Sequence, residues 1–300
     1  MTRAIYRFLD SDPPSASRAL LAVRDAIGEQ ARLFVPGPWQ SSWVGRGERH
    51  FVYVADTRAG RRRILFEAER LAWAVEHGIS VPPVVAAAPD GSWLATRRVP
   101  DDTPAGEAYV EGAISIARAF QAAASPPPSV PTDGRGRRAP RWSLPVRMAR
   151  LAASPIPIRE FATVRRRARA LPADVLAHGD FHPGNLLFDR DSGRVFVTDM
   201  ESMGFAPNGT DLLTLWCGLD HAEDRDAVLD ALLSGTGREE REPLAVLHHW
   251  LALRWLGDVT LVPRRFRVED DREARIEHAM ARLDEAREHA GTWGRTRAVR

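Results

Sequence analysis

The twelve residues "HGDFHPGNLLFD", His178–Asp189, place two His, an Asp and an Asn ahead of an apolar run that a second Asp closes. The polar part holds a Gly and a Pro and reads as a loop. "NLLF" (185–188) and a second β-prone run, "RVFVTD" (194–199), flank the turn residues "DRDSG" and together signal a hairpin. With the turn centred at Asp191–Ser192, Asn185 falls opposite Thr198 or Asp199, where antiparallel neighbours lie roughly 5 Å apart. Asn185 and Asp199 therefore emerge at the open end of the hairpin. Asp180 sits five positions before Asn185, on the loop that feeds the first strand.

Two carboxylates and an amide oxygen suit a hard cation such as Mg²⁺, which typically takes one or two carboxylates plus substrate phosphates. His178 and His182 raise zinc as an alternative, but zinc wants three or four protein ligands and no further His or Cys stands nearby in sequence. A plain Gly/Pro turn with capping side chains accounts for any one of these residues, but not for their spacing as a set.

The 300 residues, 44% of them hydrophobic, suit one large or two modest domains with a packed core. No apolar run reaches the length of about 18 residues that a membrane span needs. The start, "MTRAIYRFLDSD", lacks the apolar core of a signal peptide. The single cysteine, Cys217, lies in the apolar run "LLTLWCGL" and reads as a buried, inert thiol. It can form no intramolecular disulfide, which fits a cytoplasmic protein. The chain has no lysine, so all 42 basic residues are arginine. Residues 1–150 carry a net +6 and residues 151–300 a net −4. The arginines are scattered apart from triplets at 61–63 and 165–167, which read as solvated faces, and no nucleic-acid partner is indicated.

Upstream, "SASRALLAVRDAIGEQA" has helical periodicity, and "SSWVGRGERHFVYVAD" reads as two strands with a Gly-containing turn. "TRAG" suggests a further turn and "RRRILF" a third strand, before a helix, "EAERLAWAVEHG", that ends at Gly78. "PPVVAAA", "PDG" and "SWLATRRV" form another hairpin. "VPDDTP" (99–104) looks like a crossing between domains, followed by a helix, "GEAYVEGAISIARAFQAAA". The run 125–145 is rich in Pro, Gly and Arg and reads as loop, and the remainder is mostly helical.

The order Asp, four residues, Asn, then an Asp after a hairpin matches the catalytic and metal-binding spacing of protein kinases. The wording "HGDFHPGNLL…VFVTDMES" resembles the aminoglycoside phosphotransferase and choline kinase group of kinase-like enzymes. "PNGTDLLTL" (207–215) resembles that group's Asp-Leu segment, and "LFEAERLAWAVEHGISVPPVV" its small-lobe helix and next strand. The resemblance implies an α+β, two-lobed protein-kinase-like fold. A small β-rich lobe with one helix (1–99) would bind nucleotide. A larger, mostly helical lobe (100–300) would carry the chemistry and the acceptor.

It also implies roles. Asp180 would take or orient the acceptor hydroxyl's proton, and Asn185 and Asp199 would hold Mg²⁺ against the phosphates of ATP or GTP. His178 would brace the loop, and His182 would orient it or touch substrate. Glu201 is a neighbour of the metal site or an ion-pair partner. Adenine would sit against the crossing at Arg97–Pro100, bonded to the backbone of Arg98 and Val99. The group places a phosphate-binding Lys in the small lobe, paired with a helix Glu. Glu67 fits that Glu, but the Lys position falls on Val54 in one register and on Arg62 or Arg63 in another. "GRG" (45–47) reads either as a phosphate-approaching loop or as an ordinary hairpin turn.

The expected activity is phosphoryl transfer to a hydroxyl of a small molecule. The Arg- and Ala-rich composition points to antibiotic resistance or natural-product pathways, and Asp220, Glu223, Asp224 and Asp226 could attract a cationic antibiotic. A Ser/Thr hydroxyl of a modified peptide is a second acceptor. Rival readings are a nucleotide-binding regulator with a protein partner and no catalysis, and a metal-dependent hydrolase using His178, Asp180 and His182.

Overall fold

A computed structural model of the chain describes residues 8–34, 42–100, 106–130, 158–261 and 272–293. The start of the chain, the crossing beyond Pro100 and the Pro/Gly/Arg-rich run from 131 lie outside these residues. The β-prone runs of the first hundred residues build one antiparallel sheet of order β1-β2-β3-β5-β4. Its strands are β1 (Arg32–Leu33), β2 (Trp43–Arg46), β3 (His50–Val54), β4 (Val84–Ala87) and β5 (Trp93–Arg97). β3 lies in the middle, with Val52 opposite Gly45 on one side and Ala95 on the other. Its alternation sorts two cores. Val52 and Val54 pack with Ala16, Val23 and Ile27 of helix α1 (Pro14–Ile27), whereas Tyr53 faces the main core.

Both expected hairpins form. "GRG" belongs to the first of them as an ordinary turn. Gly45 is inside β2, and Gly47 faces Glu29, whose carboxylate accepts the Arg49 N–H at 3.1 Å. A carboxylate there repels phosphate.

"RRRILF" is not a strand. It lies inside helix α2 (Arg58–Glu76), which takes in the expected turn "TRAG" as well. Ile64, Leu65 and Phe66 favour a strand locally. The cap and the burial period override them. The Thr57 hydroxyl accepts the Gly60 N–H at 3.0 Å, and Gly60, Ile64, Glu67, Leu71 and Ala74 are buried at helical spacing.

The C-terminal part is mainly helical, with α3 (Glu107–Ala122), α4 (Ile158–Ala168), α5 (Thr210–Gly218), α6 (Ala222–Leu233), α7 (Arg238–Leu261) and α8 (Arg272–Trp293). Two small antiparallel pairs are set among these helices: β6 (Val175–Ala177) with β9 (Gly204–Ala206), and β7 (Leu186–Asp189) with β8 (Arg194–Val197). The main core runs from Ile64, Leu71 and Leu94 through Phe120, Met200 and Met203 to Trp216 and Leu253, so one apolar interior joins the sheet-rich and helical parts. The chain is thus α+β, with a small sheet-rich N-terminal part and a larger helical one. No described helix is long and apolar enough to cross a membrane.

Helix α3 supports the β7–β8 hairpin at close range. A Cβ on Gly112 would lie 2.6 Å from Val195 Cγ2. Gly112→Ala should therefore lower the Tm by a few degrees, although alanine by itself favours a helix by about 1 kcal/mol over glycine. A thermal melt in which the variant is more stable than wild type would show that α3 and β8 do not approach so closely.

Candidate active site

The loop after β6 is built around a buried carboxylate. Asp211, in the first turn of α5, accepts the backbone N–H of His178 at 2.7 Å and of Gly179 at 3.0 Å. Burial pushes its carboxyl above the usual range, against the pull of those two bonds. Gly179 has φ +81°, and a Cβ there would meet the Ser202 carbonyl oxygen at 2.4 Å, so the turn needs glycine. His178 is fully buried, its Nε2 lies 3.0 Å from the Thr198 carbonyl, and burial lowers its pKa. A neutral ring donating Nε2–H to that carbonyl ties the loop to the end of β8.

Asp180 follows with its side chain 39% exposed. Asn185 Nδ2 donates to the Asp180 carbonyl at 2.9 Å and lies 3.5 Å from its carboxylate. His182 Nε2 is 3.8 Å from the same carboxylate, while its Nδ1 accepts the Gly184 N–H at 3.0 Å. The His182 ring also lies 6.1 Å from that of Trp255 in α7.

The hairpin register pairs Leu186 with Val197, and the Thr198 N–H continues it to the Asn185 carbonyl at 2.9 Å. Asn185 thus stands opposite Thr198, and Asp199 is the next residue at the open end. Asp199 adopts φ 62°, the left-handed region, which no other described non-glycine residue enters. The side chains here offer oxygens, the Asp199 carboxylate and the Asn185 amide oxygen, and the Asn185 amide nitrogen is turned to Asp180. Among the described residues no cluster of three or more His, Cys, Asp or Glu side chains is arranged to hold a metal.

Helix α2 delivers the other charges. Glu67 is buried and accepts the Met200 N–H at 3.1 Å. Arg70, also buried, donates to the Met200 carbonyl at 2.6 Å and to Ser129 at 3.1 Å. Arg63, one turn before Glu67, lies 3.7 Å from Asp199 and makes an ion pair with Glu201. Its neighbours point elsewhere. Arg62 stacks over Phe66 at 5.1 Å, and Arg61 pairs with Asp90 at 2.9 Å. Val54 is fully buried on the α1 side of β3. Arg98 and Val99 follow β5. The Arg98 N–H is bound to the Arg49 carbonyl at 2.7 Å, and Val99 is buried.

Sequence spacing alone does not single out Arg70 or the role of Asp211. Each carries a signal in retrospect: an Arg three residues after Glu67 on the buried side of α2, and an Asp opening the apolar helix "TDLLTLW".

This geometry has known counterparts. The model of the phosphotransferase enzyme family matches residues 39–247, and the chain belongs to that family. A choline/ethanolamine kinase family protein from Mesorhizobium loti superposes with a TM-score of 0.61 at 20% identity, over 92% of this chain and 97% of that one. An aminoglycoside-3'-phosphotransferase of type VIII gives a TM-score of 0.51 at 25% identity, covering 80% and 99%. A spectinomycin phosphotransferase in complex with ADP and spectinomycin gives 0.58 at 13%, covering 94% and 99%. No curated protein sequence matches the chain. The fold is therefore kinase-like, and the protein is a phosphotransferase of this family.

The buried acids give the site a pH signature. Burial and the nearby Asp199 charge push the Glu67 carboxyl up to about 7 from an ordinary 4.5. A carboxyl raised in this way supports the fold fully below its unfolded pKa and loses that support as pH rises through the folded value. Wild type should therefore lose stability relative to Glu67→Gln between pH 5 and 8, by at most about 3 kcal/mol. Urea denaturation of both proteins at the two pH values measures this, and a gap that does not change with pH would refute the assignment.

Proposed function

We propose that the chain moves the γ-phosphoryl group of ATP or GTP to a hydroxyl of a small molecule, with Mg²⁺ held by Asn185 and Asp199. The observation that carries this reading is the convergence of Asp180, Asn185 and Asp199 at one end of the β7–β8 hairpin, with the next residue, Met200, fixed by α2. In this reading the acceptor oxygen bonds to the γ-phosphorus while the bond to the bridging oxygen breaks. Nucleoside diphosphate leaves, and Asp180 takes the hydroxyl proton. When bound, Mg²⁺ neutralises charge on the phosphates. Asn185 keeps Asp180 oriented, His182 lies close enough to Asp180 to orient it or touch the acceptor, and His178 holds the loop. Residues 1–99 would form the nucleotide-binding lobe, 100–300 the acceptor-binding lobe, and adenine would lie near Arg98 and Val99. Solved relatives named for aminoglycosides and choline support a small-molecule acceptor. The composition supports a cytoplasmic role in antibiotic resistance or natural-product chemistry. A Ser/Thr hydroxyl of a modified peptide is a second acceptor of the same chemistry.

Asp180→Asn should cut turnover by roughly 10²–10⁴-fold with nucleotide affinity nearly unchanged. Asp199→Ala should remove Mg-dependent nucleotide binding, and Asn185→Ala should weaken it. Steady-state rates and titrations with and without Mg²⁺ check both. Substantial turnover in Asp180→Asn, or Mg-independent binding in wild type, would overturn the reading.

Nucleotide binding without transfer is a second reading, favoured by the missing lysine. Arg63 decides between them in part. We assign it the phosphate contact that a lysine would make, with Glu201, and not the expected Glu67, pairing with its guanidinium. Arg63→Ala should raise the nucleotide KM about tenfold, and Arg61→Ala and Arg62→Ala should not. An unchanged or lower KM in Arg63→Ala would reduce Arg63 to a partner of Asp199 and Glu201 alone.

A further inference from the structure

A cavity of about 410 Å³ adjoins the catalytic loop. Its wall includes Gly179, the residue before Asp180, and Ser202. β9 adds Phe205, α7 adds Trp250 and Arg254, and Arg169 enters from just beyond the end of α4. The size suits a drug-sized molecule.

Two properties of the lining define its occupant. Phe205 and Trp250 are only half-buried, so each offers ring surface to a ligand. Trp250 is braced by Phe161, with ring centroids 5.4 Å apart. The charged side chains of the lining are arginines, and no acid is among its described residues. Arg165, one turn before Arg169, adds to this charge. Burial and the Arg169 charge push its guanidinium below the usual range. The acids expected to draw a cationic compound lie elsewhere. Glu223, Asp224 and Asp226 belong to α6, and Asp220, 3.8 Å from His278, precedes that helix.

We propose that the acceptor hydroxyl is carried by a compound with an aromatic or fused-ring body and an anionic group, a carboxylate or a phosphate. The ring lies against Phe205 and Trp250, and the anion faces Arg169, whose planar fork matches carboxylate and phosphate oxygens. This rests on the phosphotransferase reading above and narrows its substrate class. Polycationic amino sugars and quaternary amines meet arginines of their own charge sign among the described lining residues.

Naphthalene-2-carboxylate and 2-naphthylmethylammonium share a ring system, differ in charge and carry no hydroxyl, so their binding is read apart from turnover. In calorimetric titration of the full chain, the carboxylate should bind roughly tenfold tighter than the ammonium. Arg169→Gln should reduce that preference about threefold or more, and Trp250→Ala should weaken both probes. Arg169 is exposed, so its variant leaves the fold intact even if the Trp250 variant does not. Equal binding, tighter ammonium binding, or an unaltered preference in Arg169→Gln overturns the proposal. Nucleotide consumption by wild type and Asp180→Asn, measured with a panel of hydroxyl-bearing small molecules and without either probe, tests the phosphotransferase reading separately. Its failure there, with the carboxylate preference intact, would strike the reaction and not the charge of the cavity.

Discussion

Met200 is gripped at both ends of its backbone by one helix. Glu67 takes its N–H and Arg70 its carbonyl, and its side chain is fully buried. These two bonds join the sheet-rich part of the chain to the hairpin that carries Asn185 and Asp199. They also bear on Asp199 itself, one residue ahead. A left-handed conformation costs a non-glycine residue about 1–2 kcal/mol and persists only where the surroundings enforce it. The grip on Met200, together with the Thr198–Asn185 pairing, provides that enforcement.

The charges around the grip are unevenly balanced. Three carboxylates, Glu67, Asp199 and Glu201, meet two guanidiniums, Arg63 and Arg70. Burial first, and the Asp199 charge second, displace the Glu67 carboxyl towards its neutral form. A divalent cation at Asn185 and Asp199 would reverse that imbalance. The fold, the metal-like oxygen donors and the raised Glu67 pKa are then aspects of one electrostatic arrangement.

Much of this could be read in the sequence, because it is local. The β7–β8 register follows from two short runs and a five-residue turn, and it sets Asn185 opposite Thr198, one residue from Asp199. The alternation of "HFVYVA" and the period of "EAERLAWAVEHG" are similarly short-range. "RRRILF" misleads for the opposite reason. Its β-prone residues outweigh a single capping threonine until the burial of Gly60, Ile64 and Glu67 against other elements is known. Arg70 and Asp211 are legible only through partners 130 and 33 positions away. The choice among three consecutive arginines was likewise beyond spacing alone. Only the packed helix shows that Arg63 turns to Asp199 while Arg61 and Arg62 turn to Asp90 and Phe66.

The cation beside Asp199 is a guanidinium in a chain without a single lysine, and this alters how the site can be chemically addressed. Guanidinium stays protonated at any pH a cell encounters and is a poor nucleophile. Nucleotide analogues that tag kinases by acylating or sulfonylating a side-chain amine find none here. Activity-based profiling with such reagents would pass over this protein even while its donor site was filled.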